Sequence, residues 1–139
     1  MPMNTSVLST PRNQARRALL VDDDKFMLEV LGDMLLERGV GSVITALNGV
    51  AGFEAYERMN PSPDLVVCDL NMPENDGFQF MEKLGACGFA GGVLLVSGMD
   101  DRVRKSAALM GKFYRLKLLG TLSKPVDEAA LSAALAKLA

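Results

Sequence analysis

Four short apolar runs in this chain each end in a residue able to do ionic chemistry. Asp22, Asp23 and Asp24 follow Ala18-Leu19-Leu20-Val21, and Asp69 follows Leu65-Val66-Val67-Cys68. Ser97 follows Val93-Leu94-Leu95-Val96, and Lys124 closes the stretch that starts at Leu118. Carboxylates gathered at one place repel each other unless a cation neutralises them. Asp22, Asp23 and Asp69 therefore point to a hard divalent ion with oxygen ligands, for which Mg2+ retaining several waters is the fit. Asp69 is the candidate nucleophile, because a carboxylate can carry a transferred phosphoryl group and a metal would screen the like charges around it. Ser97 could donate a hydrogen bond to one phosphoryl oxygen, and Lys124 could pair with another as a compact ammonium. Plainer readings stand beside these. Asp24 suits a helix cap as well as a ligand, Ser97 could bond only to backbone, and Lys124 could be a solvated surface lysine. The place of Lys124 between an apolar strand and Pro125 argues for a fixed side chain.

Bringing these groups to one edge requires parallel strands, and the rest of the chain supplies the connections. Apolar residues at steps of three and four predict helices over 25–38, 49–59, 77–84, from 100 or 101 to about 115, and 127–138. Gly39 reads as the glycine that ends the first of them. Strands are expected over 18–22, 42–46, 64–69, 93–97 and 118–122, with Asn60-Pro61-Ser62-Pro63 as a turn because neither proline can continue a helix. Phe53 and Tyr56 are expected to face inward. Five strand–helix units with short connections predict an α/β domain: a doubly wound, five-stranded parallel sheet with helices on both faces. The flavodoxin-like order 2-1-3-4-5 puts the switch point between strands one and three, with Asp23 and Asp69 side by side in the crevice.

With 139 residues the chain is one domain, and its 49% apolar content excludes a disordered polymer. The net charge of −2 gives no reason to expect direct binding to nucleic acid or to an anionic membrane surface. No apolar stretch is long enough to span a bilayer, and residues 1–15 lack the apolar segment of a signal peptide, reading instead as a mobile tail ahead of a domain over 16–139. Cys68 and Cys87, without zinc-like spacing and without any His, read as reduced thiols of a cytoplasmic protein.

The set Val21-Asp22-Asp23-Asp24, Asp69-Leu70-Asn71-Met72-Pro73 with Asp76-Gly77, Ser97-Gly98 and Lys124-Pro125 resembles the receiver domain of two-component response regulators, over about residues 16 to 139. The resemblance implies that Asp69 is the phosphoacceptor and that Asp22 and Asp23 are the acidic metal pair. It further implies that the backbone carbonyl of Asn71 completes the metal shell, that Ser97 is the switch hydroxyl and that Lys124 binds the phosphoryl group. The implied cofactor is Mg2+, and the implied partner is a sensor histidine kinase or phosphotransfer protein. A cis bond at Lys124-Pro125 is usual in that family. Two departures stand out. Where the family commonly has an aromatic ring three residues before the lysine, this chain has Thr121. The stretch from Ser97 to Lys124 is longer than usual and basic, through Arg102, Arg104, Lys105, Lys112, Arg115 and Lys117. In that stretch the chain is similar to receivers fused to EAL-type cyclic-di-GMP phosphodiesterases, which implies an output domain outside this sequence.

The expected function is thus phosphorylation-dependent signalling, with output through the fourth helix, fifth strand and fifth helix, and Met110, Phe113 and Tyr114 as candidates there. Asn71 and Met99, flanking the phosphoryl site, are expected to control water access to it. Self-assembly as a homodimer is compatible with the resemblance. The alternative is a phosphate-independent protein-interaction module on the same fold, whose partner binding would survive Asp69→Asn. A separate enzyme activity is not expected. A phosphohydrolase of the haloacid dehalogenase kind needs a second acid two residues after the nucleophile, where this chain has Asn71. A flavodoxin needs a turn after strand one that cradles phosphate, and here that turn is acidic.

Overall fold

Strands buried on both faces read as unbroken apolar runs, and those runs form the centre of this domain. The computed structural model describes residues 16–98 and 101–138; the tail expected over 1–15, and Met99, lie outside the described residues. The elements in order are β1 (Arg17–Val21), α1 (Lys25–Glu37), β2 (Ser42–Ala46), α2 (Gly49–Arg58), β3 (Leu65–Asp69), a 3-10 turn (Pro73–Asn75), α3 (Asp76–Ala86), β4 (Gly92–Ser97), α4 (Asp101–Phe113), β5 (Lys117–Ser123) and α5 (Glu128–Leu135). The strands form one parallel sheet in the order β2-β1-β3-β4-β5, as the sequence predicts.

Alternation along each strand divides the core in two. Ala18, Leu20, Leu65, Val67, Leu94 and Val96 pack against α1 and α5 through Leu28, Leu31, Leu35, Leu131 and Leu135. Leu19, Val21, Val66, Cys68, Val93 and Leu95 face the other way, onto Phe80, Met81, Leu84 and Ala107 of α3 and α4. Every residue of β3 and β4 is buried. Each fully buried Leu among them contributes about 2 kcal/mol through its removal from water. Phe53 and Tyr56 of α2 stack at 5.7 Å and pack half-buried against the second core.

Helix ends explain where the elements depart from expectation. Asp127 is the N-cap of α5, accepting from the Ala130 N–H, and the helix stops at Leu135 rather than Leu138. At the end of α1, Val40 N–H donates to the Leu35 carbonyl and Gly39 N–H to that of Leu36, with Gly39 at φ 91°. This pairing closes the helix only if the second residue past its end is left-handed, which glycine adopts freely. α4 ends by the same pairing, Leu116 N–H to Gly111 and Arg115 N–H to Lys112, but here a non-glycine, Arg115, sits at φ 60°. The helix therefore stops at Phe113, short of the expected Arg115, and Arg115 and Lys117 lie beyond it.

β5 holds one irregularity. Val93 pairs with Leu118 but Leu94 pairs with Gly120, so Leu119 is an extra residue, a β-bulge. Both Leu119 and Leu122 consequently face the α1/α5 core. The Lys137 amine donates to the Leu119 carbonyl at 3.0 Å on this edge strand. Arg38 ties α1 to α5, its Nε donating to Ser132 Oγ at 2.9 Å, with its guanidinium 3.5 Å from Glu128. At the N-terminal edge of the sheet, Arg16 Nη2 donates to the Leu138 carbonyl at 2.7 Å, joining the start of β1 to the residues just past α5.

Candidate functional site

The register of the sheet assembles the site. Val21 pairs with Cys68, which sets the next residues, Asp22 and Asp69, side by side. Asp69 pairs with Val96, and Ser97 with Ser123, and the Lys124 N–H donates to the Ser97 carbonyl at 3.1 Å. Asp22, Asp69, Ser97 and Lys124 therefore meet at the C-terminal edge, as the four apolar runs predict. Asp22, Asp69 and Ser97 are buried, whereas Asp23 is exposed at the rim.

Each buried carboxylate is held by one oxygen. Asp22 Oδ1 accepts the Asp24 N–H at 2.9 Å, and Asp69 Oδ1 accepts the Asn71 N–H at 2.9 Å. The Lys124 ammonium lies 3.1 Å from Asp69 Oδ1 and 3.4 Å from Asp22 Oδ2. Both second oxygens are buried: Asp69 Oδ2 has no hydrogen-bond partner, and Asp22 Oδ2 has only the Lys124 ammonium at 3.4 Å. Carboxylate oxygens of Asp22, Asp23 and Asp69 all lie within 4.8 Å of one another. One ammonium is thus shared by two buried carboxylates with a third, Asp23, close by, and Asp69 keeps an oxygen without a partner. Buried charge in that state is unfavourable. A hard divalent cation is the group that such an oxygen set fits, and Asp22, Asp23 and Asp69 are the residues that would hold it.

The electrostatics follow from this imbalance. Burial pushes the Asp22 carboxyl from 3.8 up to about 6, and the charge of Asp69 adds to it, against the Asp24 N–H and Lys124. For Lys124, burial alone acts downward. The hydrogen bond and charge of Asp69, with the charge of Asp22, outweigh it and raise the ammonium's pKa. Burial likewise raises the Cys68 thiol, directly before Asp69, and both Cys68 and Cys87 are free.

Asp24 is a cap, its Oδ1 accepting the Phe26 N–H at 2.9 Å as the N-cap of α1. Ser97 Oγ lies 3.5 Å from Asn71 Oδ1, a long contact that sets the hydroxyl beside the loop after Asp69. Thr121 pairs with Leu95, two positions before the Ser97–Ser123 pair, so it lies on the same face of the sheet as Ser97 and is half-buried. Lys124-Pro125 is cis, as is Asn60-Pro61. Of the candidate output residues, Phe113 is 80% exposed, while Met110 and Tyr114 are half-buried and Tyr114 packs against the core.

Asp76 and Gly77 belong to the motif quoted from the sequence, but what they support shows only in the structure. Asp76, the first residue of α3, accepts the Gly49 N–H and so links the starts of α2 and α3. Gly77 follows it, and a Cβ there would stand 2.6 Å from the Asp69 carbonyl oxygen. Helix α3 can approach the end of β3 this closely only because residue 77 has no side chain. The Asp-Gly pair was a signal, but its partner Gly49 lies 27 residues away.

The family model of the response regulator receiver domain matches residues 18–136. The chemotaxis protein CheY of Treponema pallidum (strain Nichols) is 35% identical over 111 residues, covering 78% of this chain and 77% of that protein. The cyclic di-GMP phosphodiesterase RocR of Pseudomonas aeruginosa is 28% identical over 119 residues, 86% of this chain but 30% of that longer protein. Among solved structures, a chain of the CheX-CheY-BeF3-Mg+2 complex from Borrelia burgdorferi has the same fold, with a TM-score of 0.76 at 22% identity, covering 88% of each chain.

Proposed function

From the premise that this chain belongs to the response regulator receiver domain family, we propose that Asp69 is the residue through which it takes up phosphate. A receiver of CheY-like response regulators serves phosphorylation-dependent signalling, and the phosphate-independent module is the less favoured alternative. In the proposed reaction a carboxylate oxygen of Asp69 attacks the phosphorus of a phosphohistidine on a kinase or phosphotransfer protein. The O–P bond forms as the P–N bond breaks, and the departing imidazole takes up a proton from solvent. Mg2+, held by Asp22, Asp23, Asp69 and the Asn71 carbonyl, would supply charge neutralisation for the incoming phosphoryl oxygens.

The chain's own groups do the rest. Lys124, now shared between Asp69 and Asp22, would turn to a phosphoryl oxygen once Asp69 carries the acyl phosphate. Ser97 would donate to a second, giving up its long contact with Asn71. The movement passes into the segment between Ser97 and Lys124, which carries α4 and β5, and that surface would control the output. Without an aromatic ring at Thr121, the readout would rest on Ser97 and on displacement of α4.

The observation that carries this reading is the pair of buried carboxylates sharing one lysine, with an oxygen of Asp69 left without a partner. We assign the chain no activity on a separate substrate, place it in the cytoplasm and take residues 16–139 as the receiver unit. Among the described residues no helix is long and apolar enough to cross a membrane. For the effector we propose a module of the EAL-type cyclic-di-GMP phosphodiesterase kind, supported by the resemblance in the stretch before Lys124 and by the similarity to RocR. The test is intact-mass analysis after incubation with acetyl phosphate and Mg2+. A phosphoryl adduct that disappears in Asp69→Asn and with a chelator is expected. An adduct that survives Asp69→Asn would move the acceptor elsewhere.

A further inference from the structure

Two helices carry large apolar side chains on the face turned away from the sheet. On α4 the exposed residues Arg102, Lys105, Leu109, Lys112 and Phe113 recur at steps that keep them on one side of a helix. That side is opposite the buried Ala107 and Gly111, and on it Leu109 is 68% and Phe113 80% exposed. α1 repeats the spacing with the other sign of charge. Phe26, Glu29, Asp33, Leu36 and Glu37 are exposed, opposite the buried Leu28, Leu31 and Leu35, with Phe26 67% and Leu36 49% accessible. One face is basic, the other acidic, and each has two exposed apolar residues; on α4 the Phe113 ring meets the neighbouring Tyr114 edge-on at 5.4 Å.

We propose that α4 of one copy of this chain docks on α1 of the next, with the two helices antiparallel. If Phe113 is set over Phe26, the antiparallel register brings Leu109 to Val30 and Arg102 to Glu37, with Lys105 one residue from Asp33 and Lys112 two residues from Glu29. A parallel arrangement would instead put Asp33 on Leu109 and Glu37 on Phe113, burying acids against apolar groups. A symmetric contact between two α4 helices would set Lys105 and Lys112 against the same lysines of the other copy. The antiparallel contact is apolar where α4 ends and α1 begins and ionic toward the other end of the two helices. It joins two different patches, so each copy retains a free partner at either end and association runs head to tail. A 13-residue helix is about 20 Å long, which places the contact in the small, transient class. Since α1 starts directly after Asp24, self-association would compete with any partner that reaches the phosphorylation edge across α1. The contact itself does not depend on phosphoryl transfer.

The test is sedimentation of the full chain and of two charge-reversed variants, Lys105→Glu/Lys112→Glu and Glu29→Lys/Asp33→Lys, all at exposed positions. The first variant has two acidic faces and the second two basic ones. For the unmodified chain, the weight-average mass is expected to rise reversibly to about 1.5 times the monomer near about 1 mM protein. This rise should occur at about 50 mM salt and disappear at about 500 mM. Each variant alone should remain monomeric, and an equimolar mixture should regain the association. An unmodified chain that stays monomeric, variants that associate as it does, or a mixture that fails to recover would each overturn the proposal. Capture by α4 of an acidic helix from another protein, with no self-association, would also overturn it and give the surface to that partner. Circular dichroism confirms that the variants fold. Adduct formation with acetyl phosphate on the same samples reports on Asp69 separately, so failure of either reading is visible without the other.

Discussion

The unbalanced charge at the site predicts that Asp22→Asn stabilises the chain when metal is absent and the pH is neutral. The folded carboxyl of Asp22 holds its proton up to about 6, whereas in the unfolded chain it ionises near 3.8. Between those values the folded state binds more protons than the unfolded one, so stability falls as pH rises through the window. At 1.36 kcal/mol per pKa unit, the loss is about 3 kcal/mol once pH exceeds 6. That figure already contains the attraction of Lys124, which acts in the opposite direction. Asparagine removes the charge and retains an oxygen for the Asp24 N–H, but it presents an amide to the Lys124 side. The net gain at about pH 7.5 should therefore be about 1–3 kcal/mol, and near zero at about pH 2.5, where Asp22 is mostly neutral in both states. Urea titrations in chelator should show the midpoint of Asp22→Asn higher by about 1 M at the upper pH. Added Mg2+ should stabilise the unmodified chain by mass action and the variant far less, closing the gap. A variant less stable than the unmodified chain in chelator at neutral pH, or equally gained at both pH values, would refute the charge argument.

Further predictions follow from single contacts. Lys124→Met leaves Asp22 and Asp69 facing each other without their ammonium, and should lower metal-free stability at neutral pH by about 3 kcal/mol in urea titrations. Gly77→Ala places a methyl group 2.6 Å from the Asp69 carbonyl oxygen, so α3 must withdraw. A loss of about 1–3 kcal/mol by thermal or urea unfolding is expected, with slower uptake of phosphate from acetyl phosphate. Arg115→Gly relieves a left-handed residue at the end of α4 and should raise stability by about 0.5–1 kcal/mol, measured by the same unfolding assay.

Most of the site was legible because buried parallel strands leave a simple trace, an apolar run followed by the first group to reach the sheet edge. Asp69 after Leu65–Cys68 and Ser97 after Val93–Val96 are of this kind, and both follow directly from the observed register. The 2-1-3-4-5 order was legible through connection length and the crossover rule. What escaped depends on partners distant in sequence. Nothing near Asp76 marks it as the acceptor for Gly49, and nothing near Arg38 marks its ties to Ser132 and Glu128. The bulge at Leu119 left one trace, a glycine inside a strand at Gly120, which a count of apolar residues passes over. The end of α4 was misplaced because the residue that closes it is Arg115, not the expected glycine. Asp24 was ambiguous in the sequence because cap and ligand need the same carboxylate; only the Phe26 N–H decides it.

The bond from Arg16 to the Leu138 carbonyl fastens entry and exit of the fold at the edge farthest from Asp69. A short peptide bridging those two points would turn the domain into a closed loop, which could be reopened in the exposed α3–β4 turn at Gly88. Such a rearranged chain should keep the same sheet and the same acidic edge. By the same logic the domain can be spliced into a host protein as a two-wire plug, its attachments crossing neither α1 nor α4.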